Sequence, residues 1–179
     1  MLNASHTWGT TVEERRRPFP CDRFLHQPEA VLYRGITINA PPAVVFRWLC
    51  QMRVAPYSYD WLDNGGRQSP RTLTPGLENL AIGQDVMRIF TLVDFGTGDH
   101  LTLRLKPHTG ASNTFGDIMV SYVVISESAN KCRLVVKMLV NHPHGFRGWL
   151  NKTFLPWGDL IMMRKQMRNF KRLAEGKSD

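Results

Sequence analysis

In the second half of the chain, apolar residues recur at every second position. Val86, Phe90 and Leu92 keep one phase, with Arg88 in the same series. Leu101, Leu103 and Leu105 then alternate with Thr102, Arg104 and Lys106, and two further series follow: Ile118, Val120, Tyr122, Val124 and Leu134, Val136, Met138, Val140. A period of two sends successive side chains to opposite faces, so these segments predict antiparallel strands with one covered face. The register is specific. A slip by one residue would expose all three leucines, so Leu101, Leu103 and Leu105 are expected inside while Thr102 and Lys106 face water. "DFGTGDH" at 94–100 predicts a hairpin turn, and no helix follows its glycines to make a phosphate-binding loop.

Upstream, "VLYRGITI" at 31–38 is rich in β-forming residues, and "NAPPAVVFRWLCQM" at 39–52 sets two prolines before an apolar run. Proline suits the first turn of a helix, where its missing N–H costs nothing, so a strand, a turn and a helix are predicted. Val45, Leu49 and Met52 share one face of that helix, with Trp48 beside them. "PYSYDWLDNGG" at 56–66 predicts a second, very short helix, begun by Pro56 and broken at Asn64, Gly65 and Gly66. Tyr57 and Trp61 would share a face of it, and Tyr59 would take another. Residues 65–84 hold Pro70, Pro75, Gly76 and Gly83 and predict a long connection with one helical turn near Leu77 to Leu80.

Beyond "NHPHGF", residues 147–175 predict a long helix with a bend or restart near Pro156. Leu160, Met163, Met167, Phe170 and Ala174 form its apolar stripe, and Arg164, Lys165, Arg168, Lys171 and Arg172 a basic opposite face. Residues 1–29, with Pro18, Pro20 and Pro28 among charges, predict an irregular arm, and residues 30–176 a single domain.

The length of 179 residues suits one domain with room for an internal cavity. A net charge of +8 favours anionic partners without selecting among them. Cys21, Cys50 and Cys132 are odd in number and scattered, which argues against a disulfide framework or a zinc site and for a reducing, cytoplasmic setting. The N-terminal charges, including Arg15, Arg16 and Arg17, do not follow a secretory plan, and no segment reaches membrane-spanning length. Neither a metal nor a cofactor is called for.

The order of strand, two short helices, antiparallel strands and long last helix is that of the helix-grip fold, an α+β class. "ITINAPPAVVFRWLCQM", "YSYDWLDN" and "LAIGQDV" together resemble the START-like (SRPBCC) superfamily of polyketide cyclases, pollen-allergen-type proteins and lipid-transfer domains. "WGTTVEE" and "PCD" resemble the arm of a largely uncharacterised bacterial branch. The resemblance implies a cavity between sheet and last helix for a hydrophobic or amphipathic molecule. It implies no single chemistry, since one fold hosts many.

The candidate ligand-binding residues are Tyr57, Tyr59 and Trp61 at the cavity mouth and Trp149, Phe154, Trp157 and Ile161 on the last helix, with Met162 beside them. Each aromatic offers apolar area, and the tyrosines and tryptophans add a polar edge. Against this stands ordinary packing of the short helices onto the sheet. Tyr59 and Asp60 are the candidates for proton transfer, while Asp63-Asn64-Gly65 reads as a turn closed by short polar side chains. His142 and His144 lack a third metal ligand, and alternation sends His100 and Arg104 to solvent. Binding or transport of a small hydrophobic or amphipathic ligand is therefore expected. The alternatives are a cyclase/dehydrase-like enzyme and a peripheral module in which the basic helix face, with Lys152, meets an anionic membrane. Nucleic acid is disfavoured, because the aromatics are committed to the interior.

Overall fold

The computed structural model describes residues 4–63, 65–143 and 145–176. The side chains of residues 62, 63, 146, 147 and 149–151 lie outside the described set. The element order is α1 (Ala4–Thr7), α2 (Val12–Arg16), a 3-10 turn (Pro20–Arg23), β1 (Ala30–Ile38), α3 (Pro42–Cys50), a 3-10 turn (Gln51–Arg53) and α4 (Asp60–Asp63). Then follow β2 (Asp85–Val86), β3 (Phe90–Gly96), β4 (His100–Leu105), α5 (Gly110–Phe115), β5 (Asp117–Ser128), β6 (Lys131–Asn141) and α6 (Phe146–Ala174). The strands form one antiparallel sheet in the order β1-β6-β5-β4-β3-β2. The sheet packs against α6, the helix-grip architecture, and α3 sits between the two.

The inner face carries the alternation read from sequence. Leu101, Leu103 and Leu105 are buried, as are Val120, Tyr122, Leu134 and Val136, and they meet Met163, Met167 and Phe170 of α6. Helix α3 contributes Val45, Trp48 and Leu49, and its proline lies in the first turn. α6 runs unbroken through Pro156, with no restart.

Several expectations need correction. The series from Val86 to Leu92 is not one strand: Met87 and Arg88 take positive φ (48° and 64°), folding β2 back on β3 as a tight hairpin. The second short helix is a single turn, Asp60–Asp63, and Tyr57 precedes it with φ 58°. The connection after it holds no helix among the described residues. It is tied down instead by Gln51, which exchanges two hydrogen bonds with Thr74, and by Arg53 Nη1 donating to the carbonyls of Leu77 and Asn79.

Thr102 is fully buried rather than facing water, because the outer face of the sheet is covered as well. The segment read as an irregular arm carries α1, α2 and the 3-10 turn; α1 meets β1 and α6, and the 3-10 turn lies across that outer face. Phe19 and Cys21 pack with Met119, Val135 and Leu139 into a second apolar cluster. Ser121 Oγ accepts from Cys21 N and bonds Thr102 Oγ1, so the hydroxyls under the arm are paired. Lys137 reaches Asp22 at 2.6 Å with its ammonium over the rings of Phe19 and Tyr33, 5.4 and 5.6 Å from their centroids. Gly9 lies on Gly35 of β1, and a Cβ at Gly9 would stand 2.1 Å from the Gly35 carbonyl oxygen. Arg133 clamps the crossing through Glu14 and the Gly9 carbonyl.

Candidate functional site

A cavity of about 590 Å³ lies between the inner face of the sheet and the first half of α6. Leu105, Ile118, Val120, Tyr122 and Met138 make its floor, and Leu155, Gly158, Met162 and Met163 its roof. The β2–β3 turn, Met87 to Ile89, forms one side of the rim, with Phe115 of α5 and Phe154 of α6 also at the cavity. Ile89, Phe115 and Phe154 are exposed. The volume is in the range used for drug-sized ligands, and methionines give the walls adaptable shape.

Polar groups are few, and apart from Ser58 and the exposed Arg88 of the β2–β3 turn they cluster at the sheet side of α6. Arg34 of β1 points inward opposite Val136 and is 2% exposed. Its Nη2 donates to Asp159 Oδ2 at 2.6 Å and to the Pro156 carbonyl at 3.2 Å, and its Nη1 donates to the Tyr33 carbonyl. Asp159 lines the cavity with an 8% exposed side chain, and burial raises its pKa against the opposing pull of Arg34. Tyr122 donates its hydroxyl to Gln166 Oε1 at 2.9 Å, and Gln166 Nε2 donates to the Pro56 carbonyl at 2.6 Å. Burial pushes the Tyr122 phenol up, so it stays protonated at neutral pH.

The described residues singled out from sequence are spread over four places. Tyr57 is core: 2% exposed, edge-on to Trp48 at 6.1 Å and tilted on Phe170 at 5.4 Å. Burial pushes its phenol up to about 12, and its Oη has no partner among the described residues. Tyr59, Asp60 and Trp61 do not line the apolar cavity. They border a separate groove of about 450 Å³ with Arg71, Lys165, Asn169 and Arg172, and Trp61 is 74% exposed. Asp60 accepts from Ser69 N at 2.8 Å and from Ser69 Oγ at 2.5 Å, so both its oxygens hold the following loop.

Phe154 lines the cavity, whereas Trp157 and Ile161 turn outward, 49% and 56% exposed, and do not. The Trp149 side chain is outside the described residues, as are Asn64 and His144. His142 is buried, which lowers its pKa. Of the basic face, Arg164 stacks over Trp8 and Lys171 donates to the Thr37 carbonyl, while Lys165 and Arg168 are exposed. His100 is not free in solvent either: it bridges Asp94 and Asp99.

Arg34, Asp159, Tyr122 and Gln166 were missed from sequence as site residues. A signal was present. Arg34 is the one charge in the inward phase of β1, Leu32-Arg34-Ile36-Ile38, and Asp159 is the one acid in 146–174, beside the apolar stripe.

No protein-family model matches the sequence, and no curated protein does. Solved structures share the fold. A Mesorhizobium loti protein is similar at 11% identity with a TM-score of 0.53, over 83% of this chain and 99% of that one. A Chromobacterium violaceum protein matches at 11% identity and 0.51, over 81% and 96%. Norcoclaurine synthase from Thalictrum flavum matches at 9% and 0.50, over 80% and 84%. Identity this low establishes the helix-grip fold and nothing about chemistry.

Proposed function

We propose that the chain binds, and carries or stores, a small hydrophobic or amphipathic molecule in the cavity between sheet and α6. The observation that carries this reading is the cavity itself, about 590 Å³ with nearly all its walls apolar and a rim of exposed apolar side chains. The enzyme alternative rested on Tyr59 and Asp60, which line a different groove, with Asp60 engaged by Ser69. Nile red, a neutral apolar fluorophore, is expected to bind wild type with a blue-shifted emission. Met138→Trp, which fills the cavity floor, should weaken binding about tenfold or more with a small change in melting temperature. Equal affinity in both proteins would sink the cavity as the binding site.

A second reading, contact with an anionic bilayer, is favoured by the outward face of α6. Phe154, Trp157 and Ile161 recur at i, i+3 and i+7, all exposed, and Lys165 and Arg168 continue the same surface. Residues 146–174 hold seven Lys and Arg and one acid, Asp159, which is turned inside. A second copy would bring the same cations, so a lipid surface is the better complement. Co-sedimentation with vesicles containing phosphatidylglycerol, lost in phosphatidylcholine alone, in high salt or in Phe154→Ser/Ile161→Ser, is the expected result. Dimerisation without vesicle binding would replace this reading.

A further inference from the structure

We infer that the cavity selects a neutral ligand carrying a hydroxyl or N–H donor, which Asp159 Oδ1 accepts, and discriminates against carboxylates. The inference rests on the cavity being the binding site. At the polar end of the cavity the donors of the lining side chains Tyr122 and Gln166 are engaged, while Arg34, whose Nε is buried without a partner among the described residues, does not itself line the cavity. Arg34 spends Nη1 and Nη2 on Tyr33, Pro156 and Asp159, Gln166 Nε2 is held by Pro56, and the Tyr122 hydroxyl points to Gln166 Oε1 with Met163 Sδ nearby at 3.7 Å. What is left is acceptor capacity. Asp159 lines the cavity and gives Oδ2 to Arg34, while Oδ1 has no partner among the described residues. The Tyr122 oxygen, with its proton given away, has lone-pair capacity of its own.

Charge narrows the class further. Arg34 cannot shed its proton, so Asp159 serves as its counter-ion and the pair is neutral as a unit. A ligand carboxylate would meet Asp159 in a low-dielectric space, and an ammonium would add a second cation to Arg34 without a second anion. A neutral donor satisfies Oδ1 without adding charge, and a site built to pair a donor rejects analogues that lack one. Apart from Ser58 and the exposed Arg88 of the β2–β3 turn, the remaining walls are apolar and ask only for a hydrocarbon body.

Naphthol, naphthalene and naphthoate, which share one ring system, test this by titration near pH 7. Wild type is expected to bind naphthol at least about tenfold more tightly than either of the others. Asp159→Leu alone leaves Arg34 unpaired and is at risk of unfolding, so the informative variant is Arg34→Met/Asp159→Leu. It should keep naphthalene binding and lose the preference for naphthol. Equal affinities in wild type, a preference for naphthoate, or a naphthol preference that survives in the double variant would each overturn the assignment. If naphthalene and naphthol both fail to bind wild type, the cavity reading itself falls and takes this inference with it. Naphthalene binding without discrimination sinks only the role of Asp159.

Discussion

Replacing Asp159 by Leu is expected to destabilise the protein by about 3–5 kcal/mol, whereas Arg34→Met/Asp159→Leu together should be close to neutral. Arg34 is 2% exposed, and Asp159 is its only carboxylate partner among the described residues. Removing one member leaves an unpaired charge in a low-dielectric interior, while removing both substitutes apolar packing beside walls that are already apolar. Burial holds the Asp159 carboxyl above its ordinary value, with Arg34 opposing. Between the ordinary aspartate value and the raised one, the folded state binds more protons than the unfolded chain, so this group's contribution to stability falls as pH rises through that window. The double variant should lack that component. Urea unfolding of the three proteins at pH 7, with wild type and double variant repeated at acid pH, measures both effects. A single variant as stable as wild type would mean that the pair does not hold α6 to β1.

The arm should prove to be a structural layer of the domain. Phe19→Ala is expected to lower stability by about 3–5 kcal/mol, the range for truncating a buried aromatic. Phe19 is 4% exposed, edge-on to Tyr33 at 6.1 Å, with the Lys137 ammonium 5.4 Å from its ring. Its loss opens a void over Met119, Val135 and Leu139. Lys137, 9% exposed, would lose the ring shielding its bond to Asp22. An unchanged unfolding midpoint would mean that residues 19–25 rest on the sheet without contributing to it, and that the buried Thr102–Ser121 pair is stable without its cover.

The difference between these two sites reflects how each is written in the chain. Strands β4 to β6 were legible because period-two alternation is a local consequence of the pleat, and one covered face forces the register of Leu101, Leu103 and Leu105. Helix α3 was legible from Pro41 and Pro42 ahead of Val45 and Leu49, and α6 from its 3.6-residue stripe. Thr102 was misjudged because alternation says which residues share a face but not whether a distant segment lies over it, and "PCD" at 20–22 holds few apolar residues to announce that role. The β2–β3 turn escaped notice because Met87 and Arg88 are not the residues that usually adopt positive φ.

The candidate site divides in the same way. By itself the sequence determined that a sheet with one apolar face and a helix with one apolar stripe must meet, because neither can bury its face alone. It also grouped the candidate site aromatics at 57–61 and 149–157. Only the tertiary structure decided which of them meet: Tyr57 entered the core against Trp48 and Phe170, Trp157 and Ile161 turned outward, and Tyr59 and Trp61 went to a separate groove. It also brought Arg34 to Asp159 across 125 residues of chain. The physical reason is range. Periodicity and turn chemistry act over a few residues and are written locally, whereas a cavity and its one charged pair exist only where the curvature of the sheet and the seat of the helix bring remote residues within a few ångströms of each other.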